Sequence, residues 1–498
     1  MKHARTSFVA LLLAVAVPAG AKSAMPTPAI DWRGTDQIDI TPGSLDLTRD
    51  PGFASGGSTF VDNPTSGGTN DRAVAIVEDG AGGYWLVGSS TADDGVHVTP
   101  VVTPFSAVGA AGTPMAYPED TTLSGLSSIV AAVEGVNAGT RRIYVIGTYH
   151  SPGYPDADFG VICLDPAQSF HGCSSFGFNG VQSVAFDRGG SNDDTPRALA
   201  YDALSGDLYV TGTVDFGGYF AAGVVRLNGS TGARVSEWGN ATTSNGTFVY
   251  PIQWTANGDA VPLAIVAGAP MLFEHDVFVV GFAFANSAHT DTDGFVLPID
   301  AVNGTGFDPL WNGGNLKRIF FDLGATNKID ALSAVSLRHN GSLLIAGQAE
   351  NDTEIHMILG EFDPVGAARA DFCGGTGVCQ GFLSNESTPS AVLERPGAGD
   401  IVVGATSVDP AGDDVQAVYE FGPHGTAIVA YDEVAWDSAQ STTPLAIANG
   451  LLIDDENRVL QAGYRLWNLS IADYDMTVAR WRATDSIFGN GFGGAYAD

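Results

Sequence analysis

Short apolar runs, each closed by a glycine, recur along this chain. They are Tyr84-Trp-Leu-Val-Gly88, Ile143-Tyr-Val-Ile-Gly147, Leu208-Tyr-Val-Thr-Gly212, Val277-Phe-Val-Val-Gly281, Leu343-Leu-Ile-Ala-Gly347, Ile401-Val-Val-Gly404 and Val459-Leu-Gln-Ala-Gly463. The closing glycines stand 57 to 69 residues apart, and a sustained period of that size marks a repeat architecture. The runs are too short for helices and rich in β-branched and aromatic residues, so they predict strands. Ahead of each run lies a strand of small residues, such as Ala73–Val77, Ala198–Tyr201 or Leu332–Val335. Between the two comes a hairpin turn of Asn, Asp and Gly, as at Ser205-Gly206 and Asn340-Gly341. A third strand follows each glycine (Asp158–Asp165, Asp293–Asp300, Asp475–Trp481), and then a looser fourth (Val181–Asp187, Arg318–Asp322).

Four antiparallel strands per unit, seven times over, without an intervening segment of helical period, predict an all-β fold. The architecture expected is a seven-bladed β-propeller of four-stranded antiparallel blades. A β-solenoid is the alternative, but its coils are shorter and seldom hold consecutive hairpins. The last unit breaks off at Ser486-Ile-Phe-Gly-Asn-Gly-Phe492, where its fourth strand should begin. Asp50–Asp62 reads like the missing piece, since it matches Phe176–Asp187. An N-terminal strand around Ser58 to Asp62 is therefore expected to complete the seventh blade and close the ring, leaving no exposed edge. The domain reading is a signal peptide over 1–21, an N-terminal extension over 22–43 and the propeller over 44–498.

Three phrases carry a family likeness: Asp158…Phe176-Gly-Phe-Asn-Gly180, Asp475…Asp485-Ser-Ile-Phe-Gly-Asn-Gly491 and Ser44-Leu-Asp46…Gly52-Phe53. They resemble the delta-60 repeat family, whose loose pattern is D-x-x-V-x-R-L…G-x-L-D-x-x-F-G-x-G. The resemblance runs through most of the chain but is clear in two or three units, and units three to six keep the strand order while losing most of the phrase. It implies an exported bacterial protein of propeller-like fold and transfers no catalytic residue.

Composition narrows the function. Asp plus Glu number 56 against 22 Lys plus Arg, a formal charge of −34, and the four lysines are Lys2, Lys22, Lys317 and Lys328. Binding to nucleic acid or to an anionic membrane face needs clustered cations, so neither is expected. Lys2, His3 and Arg5 precede the apolar run Phe8–Val17, and Ala19-Gly20-Ala21 offers a small-x-small cleavage site. That is the pattern of a secretory signal peptide, which places the protein in the periplasm or the medium. A run of about ten apolar residues is too short to cross a membrane, and no membrane span is expected. The four cysteines form two close pairs, Cys163 with Cys173 and Cys373 with Cys379, which suits two local disulfides in an oxidising compartment. Neither spacing suits zinc.

Candidate chemistry is sparse. The expected axial strands are rich in alanine (Ala73, Ala131, Ala198, Ala264, Ala334, Ala446), which favours close packing and disfavours a catalytic site on the channel. The nine histidines show no local metal motif, and His97 and His356 read as equivalent third-strand residues. No GxSxG nucleophile elbow is present. Asp-rich turns occur at Asp93-Asp94, Asp193-Asp194, Asp291-Thr-Asp293, Asp413-Asp414 and Asp454-Asp455. Oxygen clusters of this kind suit Ca²⁺, with Asp291 and Asp293 the best placed, but Asp is also an ordinary turn former. Trp238, Tyr250 and Trp254 lie on a Gly/Asn/Thr-rich stretch and could stack on sugar rings; equally, they could pack one blade against the next. Asn228-Gly-Ser-Thr-Gly232…Trp238 and Asn303-Gly-Thr-Gly306…Trp311 share a glycine-to-tryptophan order with the docking repeats of quinone-cofactor propellers. Their spacing differs and they occupy the repeat's ordinary hairpin position, so no such cofactor is expected.

The reading that results is an exported monomeric propeller, without enzymatic activity, that binds a protein or glycan through loops on one rim. The rival is a hydrolase or lyase whose acid and base come from separate rim loops.

Overall fold

The computed structural model describes residues 29–31, 47–62, 70–91, 98–117, 125–137, 139–151, 156–240, 245–254, 258–271, 274–326, 328–380, 386–425, 428–436, 445–468 and 473–482. The segments read as signal peptide and nearly all of the N-terminal extension, with Asp93-Asp94, His97 and Ser486–Phe492, lie outside them.

Among the described residues the regular structure is β-strand, with three short 3₁₀ turns. Strands follow one another as antiparallel meanders. The first unit is Asn70–Glu78, Tyr84–Thr91, Val98–Phe105 and Met115–Ala116. The second is Ala131–Asn137, Thr140–His150, Ala157–Asp165 and Val181–Val184. The third is Asp194–Asp202, Asp207–Asp215, Phe220–Asn228 and Thr247–Tyr250. The fourth is Ala260–Met271, Glu274–Phe284, Asp291–Asp300 and Lys317–Phe320. The fifth is Lys328–Leu337, Leu343–Glu350, Ile355–Phe362 and Val378–Gln380. The sixth is Ser387–Glu394, Ile401–Val408, Asp414–Phe421 and Ile428–Val434. The seventh has Ala446–Ile453, Val459–Asn468 and Asp473–Arg482.

The strand Ser58–Val61 lies antiparallel on Asp473–Arg482, with Ser58 opposite Ala479 and Val61 opposite Met476, so the seventh unit takes its fourth strand from the N-terminal side. The first strand of every unit packs on the first strand of the next, and Ala446–Ile453 packs on Asn70–Glu78. Ala73, Ala334, Ala446 and Ala448 are buried along these contacts, where small side chains let the strands converge.

The recurring glycine has a steric cause. The first strand bulges at Ala73/Ala75, Pro196/Ala198, Pro262/Ala264, Leu332/Ala334 and Ala448/Gly450. Next to each bulge a backbone carbonyl occupies the space a Cβ would need at Gly88, Gly212, Gly281, Gly347 or Gly463. The sixth unit departs from the expected pattern. There Ala405, not Gly404, faces Pro389 beside the bulge, so the glycine of that run is one position out of register with the others.

A second joint links the units. Buried aromatics in the loop before the fourth strand, or the equivalent N-terminal segment, lie against a left-handed glycine of the following unit. The pairs are Phe53 with Gly109, Phe176 with Gly232, Trp238 with Gly304, Trp311 with Gly366 and Phe372 with Gly425. A Cβ at any of these glycines would come within 3.0 Å of the ring. Both disulfides, Cys163–Cys173 and Cys373–Cys379, pin loops that carry such an aromatic.

Candidate functional site

Asp291 and Asp293 open the third strand of the fourth unit. The turn before them is held by Asn286, whose Oδ1 accepts from the amides of Ala288 and Thr290. Two residues apart on a strand, the two aspartates share one face. The outer strand returns antiparallel, with Gly294 opposite Ile319, and the chain leaves it at Asp322 in the left-handed region (φ 53°), a conformation Asp tolerates. The first strand of the fifth unit then pairs in parallel, Asp291 with Lys328 and Thr292 with Ile329. Thr292 donates its hydroxyl to the Asp330 carbonyl at 3.1 Å, which brings Asp330 beside the same group.

The result is a concentration of carboxylates. One oxygen each from Asp291, Asp293 and Asp322 lie within 4.8 Å of one another. Asp293 and Asp330 are buried. Asp330 Oδ2 accepts the amides of Phe321 (2.6 Å) and Asp322 (3.3 Å). The Arg318 guanidinium pairs with Asp293 and lies 5.1 Å from the Trp254 ring centre, while Lys328 stands 3.9 Å from Asp322. Burial pushes Asp293 up to about 7 against the opposing pull of Arg318, with Asp291 and Asp322 adding to the rise. Burial likewise raises Asp330 to about 8, and Asp291 also lies above the ordinary carboxylate range. A buried carboxylate without full compensation takes up a proton or a cation, and this group is built of hard oxygen donors.

Sequence reading therefore singled out two of the four acids. Asp322 and Asp330 arrive from about 30 and 40 residues further on, and the available signal was their repetition. Asp187 and Asp194 occupy the same places after the second unit, with Asp187 also left-handed and Asp194 Oδ2 accepting the Phe186 amide at 2.8 Å. The remaining Asp-rich turns that are described make structural bonds. Asp193 accepts the Ala157 amide, Asp409 caps its turn by accepting the Asp413 amide, and Asp454 receives the Tyr84 hydroxyl and an Arg458 ion pair.

Trp238 is 0% exposed, packed edge-on to Tyr209 at 5.7 Å and inserted between the third and fourth units. Tyr250 ends the outer strand of the third unit, half-buried and edge-on to Phe307 at 4.8 Å. Trp254 is half-buried beneath Arg318. The glycine-to-tryptophan phrases set aside on spacing thus do form a docking contact, though with the next unit's turn. His356 lies on its third strand, as expected. His339, 76% exposed at its side chain, pairs with Glu394 at 2.7 Å. A depression of about 650 Å³ lies beside the first disulfide, lined by Asp165, Gln168, His171 and Ser174. No helix among the described residues is long and apolar enough to cross a membrane.

The sequence matches no family model and no curated protein. Among solved structures the chain is similar to a quinohemoprotein alcohol dehydrogenase of Pseudomonas putida HK5, at 12% identity and a TM-score of 0.42, over 95% of this chain and 80% of that one. It is also similar to the Dos1 propeller (10%, 0.44, covering 90% and 96%). A third likeness is to the β-propeller domain of the trilobed protease of Pyrococcus furiosus, which has an open velcro topology (9%, 0.38, covering 84% and 99%).

Proposed function

We propose that the chain is an exported seven-bladed β-propeller, its ring closed by Ser58–Val61, that binds a protein or glycan through rim loops and performs no chemistry of its own. The observation that carries the reading is the pairing of Ser58–Val61 with Asp473–Arg482, together with the packing of the last unit's first strand on that of the first. Support also comes from the aromatic–glycine joints, which lock the loops of successive units into a rigid frame. A frame of this kind presents its exposed loops as a preorganised surface, which lowers the ordering cost of binding. The delta-60 likeness and the leader sequence belong to the same reading. Tyr250 and Trp254 are half-buried and keep some exposed surface for a ligand, whereas Trp238 is fully buried.

Two measurements test it. A chain beginning at residue 64 lacks the closing strand and is expected to melt well below the full chain; an unchanged melt would sink the closed ring. A glycan or pulled-down envelope protein that raises the melting temperature of the full chain supports a binding function. Turnover of a glycoside, ester or uronide substrate would move the protein to the hydrolase or lyase reading.

A further inference from the structure

We infer that Asp291, Asp293 and Asp322, with Asp330 behind them, hold one calcium ion between the fourth and fifth units. The site is independent of whatever the rim binds. Oxygens bonded to one Ca²⁺ at about 2.3–2.6 Å are at most about 5 Å apart. The donor oxygens of Asp291, Asp293 and Asp322 already lie within 4.8 Å of one another. Among the described residues this is the one place where three such donors meet.

Acids gather at turns for local reasons, so convergence alone would carry little. The second observation is a set of buried carboxylate oxygens without a hydrogen-bond partner: Oδ1 of Asp291, of Asp293 and of Asp330. Asp330 is 1% exposed. Its Oδ2 is engaged by the Phe321 and Asp322 amides, and the oxygen left over belongs to a carboxylate that interacts electrostatically with Asp293 and Asp322. Buried polar atoms are almost always partnered, and an orphan in a polar setting marks a place for an ion or water.

The charge balance agrees. With all four carboxylates ionised, as cation binding requires, Arg318 and Lys328 leave two negative charges, which one divalent cation neutralises. Arg318 pairs with Oδ2 of Asp293, so Oδ1 stays available. All donors are hard oxygens, which excludes a preference for zinc or copper. Irregular carboxylate geometry completed by water suits Ca²⁺ better than Mg²⁺, which demands a near-ideal octahedron. Asp291 and Asp322 are half-buried, and that gives the ion a way in. After the second unit the corresponding Oδ1 atoms of Asp158 and Asp194 are also without a hydrogen-bond partner, but among the described residues no three donors converge there, and Asp158 Oδ2 takes neutral hydroxyls from Ser183 (3.1 Å) and Ser151 (3.4 Å) where Asp293 has Arg318.

The test is calorimetric titration of the full chain, stripped with EDTA, with CaCl₂ and separately with MgCl₂, alongside thermal unfolding. One Ca²⁺ per chain is expected, with a raised melting temperature and weaker or no Mg²⁺ binding. Asp291→Asn and Asp322→Asn should each weaken Ca²⁺ binding at least tenfold while melting near the wild type in EDTA. Using both half-buried positions keeps the test valid if one variant fails to fold. Asp187→Asn, at the corresponding place after the second unit, should bind Ca²⁺ as the wild type does. No heat and no melting shift at about 10 mM Ca²⁺, above the weakest extracellular calcium modules, would overturn the site. So would undiminished binding in both Asp291→Asn and Asp322→Asn, or an equal loss in Asp187→Asn.

Discussion

The junction after the second unit and the junction after the fourth are built on one plan and balanced by different chemistry. In both, an aspartate at the start of a first strand (Asp194, Asp330) caps the amide of a phenylalanine leaving the previous outer strand (Phe186, Phe321). In both, the next residue is a left-handed aspartate, Asp187 or Asp322, and a third-strand aspartate, Asp158 or Asp293, is buried beside it. They diverge at one position of the outer strand. Ser183 pairs with Gly160 across the sheet as Arg318 pairs with Phe295, two residues on from the shared aspartate in each case. Ser183 gives Asp158 a neutral hydroxyl, whereas Arg318 gives Asp293 a full positive charge. The backbone thus dictates where the acids meet, and a single outer-strand side chain decides what offsets them.

The comparison can be pressed hardest through pH. Burial raises Asp194 to about 7, with Asp158 and Asp187 adding to the rise and the Phe186 amide and Arg188 opposing it. A carboxyl whose folded pKa exceeds its unfolded value binds its proton more tightly when folded. Its contribution to stability is complete below about pH 4 and is lost as the pH rises through about 7. Asp194→Asn keeps an acceptor for Phe186 and removes the titration. It should flatten the fall in unfolding free energy between pH 4 and 8 by up to about 4 kcal/mol, read from urea midpoints. An unaltered pH profile would show that Asp194 stays ionised throughout. Converting one junction into the other is the next largest change. Arg318→Ser should cost about 1 kcal/mol more at pH 8 than at pH 5, because Asp293 loses its counter-charge and takes up a proton at pH 8 but is already protonated at pH 5. Equal losses at both pH values would assign the effect to lost packing on Trp254. The smallest effect belongs to the hydroxyl: Ser183→Ala should cost about 1 kcal/mol, and a neutral result would mean that Asp158 is satisfied without it.

Strand order, hairpin positions and both cysteine pairs were legible in the sequence because they are local: alternation, turn residues and short loops carry them. The glycine signature was legible as a pattern but not in its cause, since a bulge on the partner strand cannot be seen in the strand it crowds. For the same reason Gly404 looked equivalent to Gly347, although Ala405 holds that position. The acidic group was half legible. Asp291 and Asp293 are neighbours in sequence, but Asp322 and Asp330 reach them through an outer-strand return and a parallel bridge that no local motif encodes. The docking of Trp238 on Gly304 was not legible, because the contact joins two units and no motif within one unit encodes it.

The pairing of Ser58–Val61 with Asp473–Arg482 also sets a timetable. At a synthesis rate of about 5–20 residues per second, the strand made near the start waits roughly 20–80 s for its partner near the end. Through that interval the nascent protein carries an unmatched hydrogen-bonding edge at its front; loss of the first sixty residues would leave Asp473–Arg482 without its outer partner, and loss of the last few dozen would leave Ser58–Val61 without its own. Damage at either terminus should therefore expose a bare strand edge prone to pair with its neighbours.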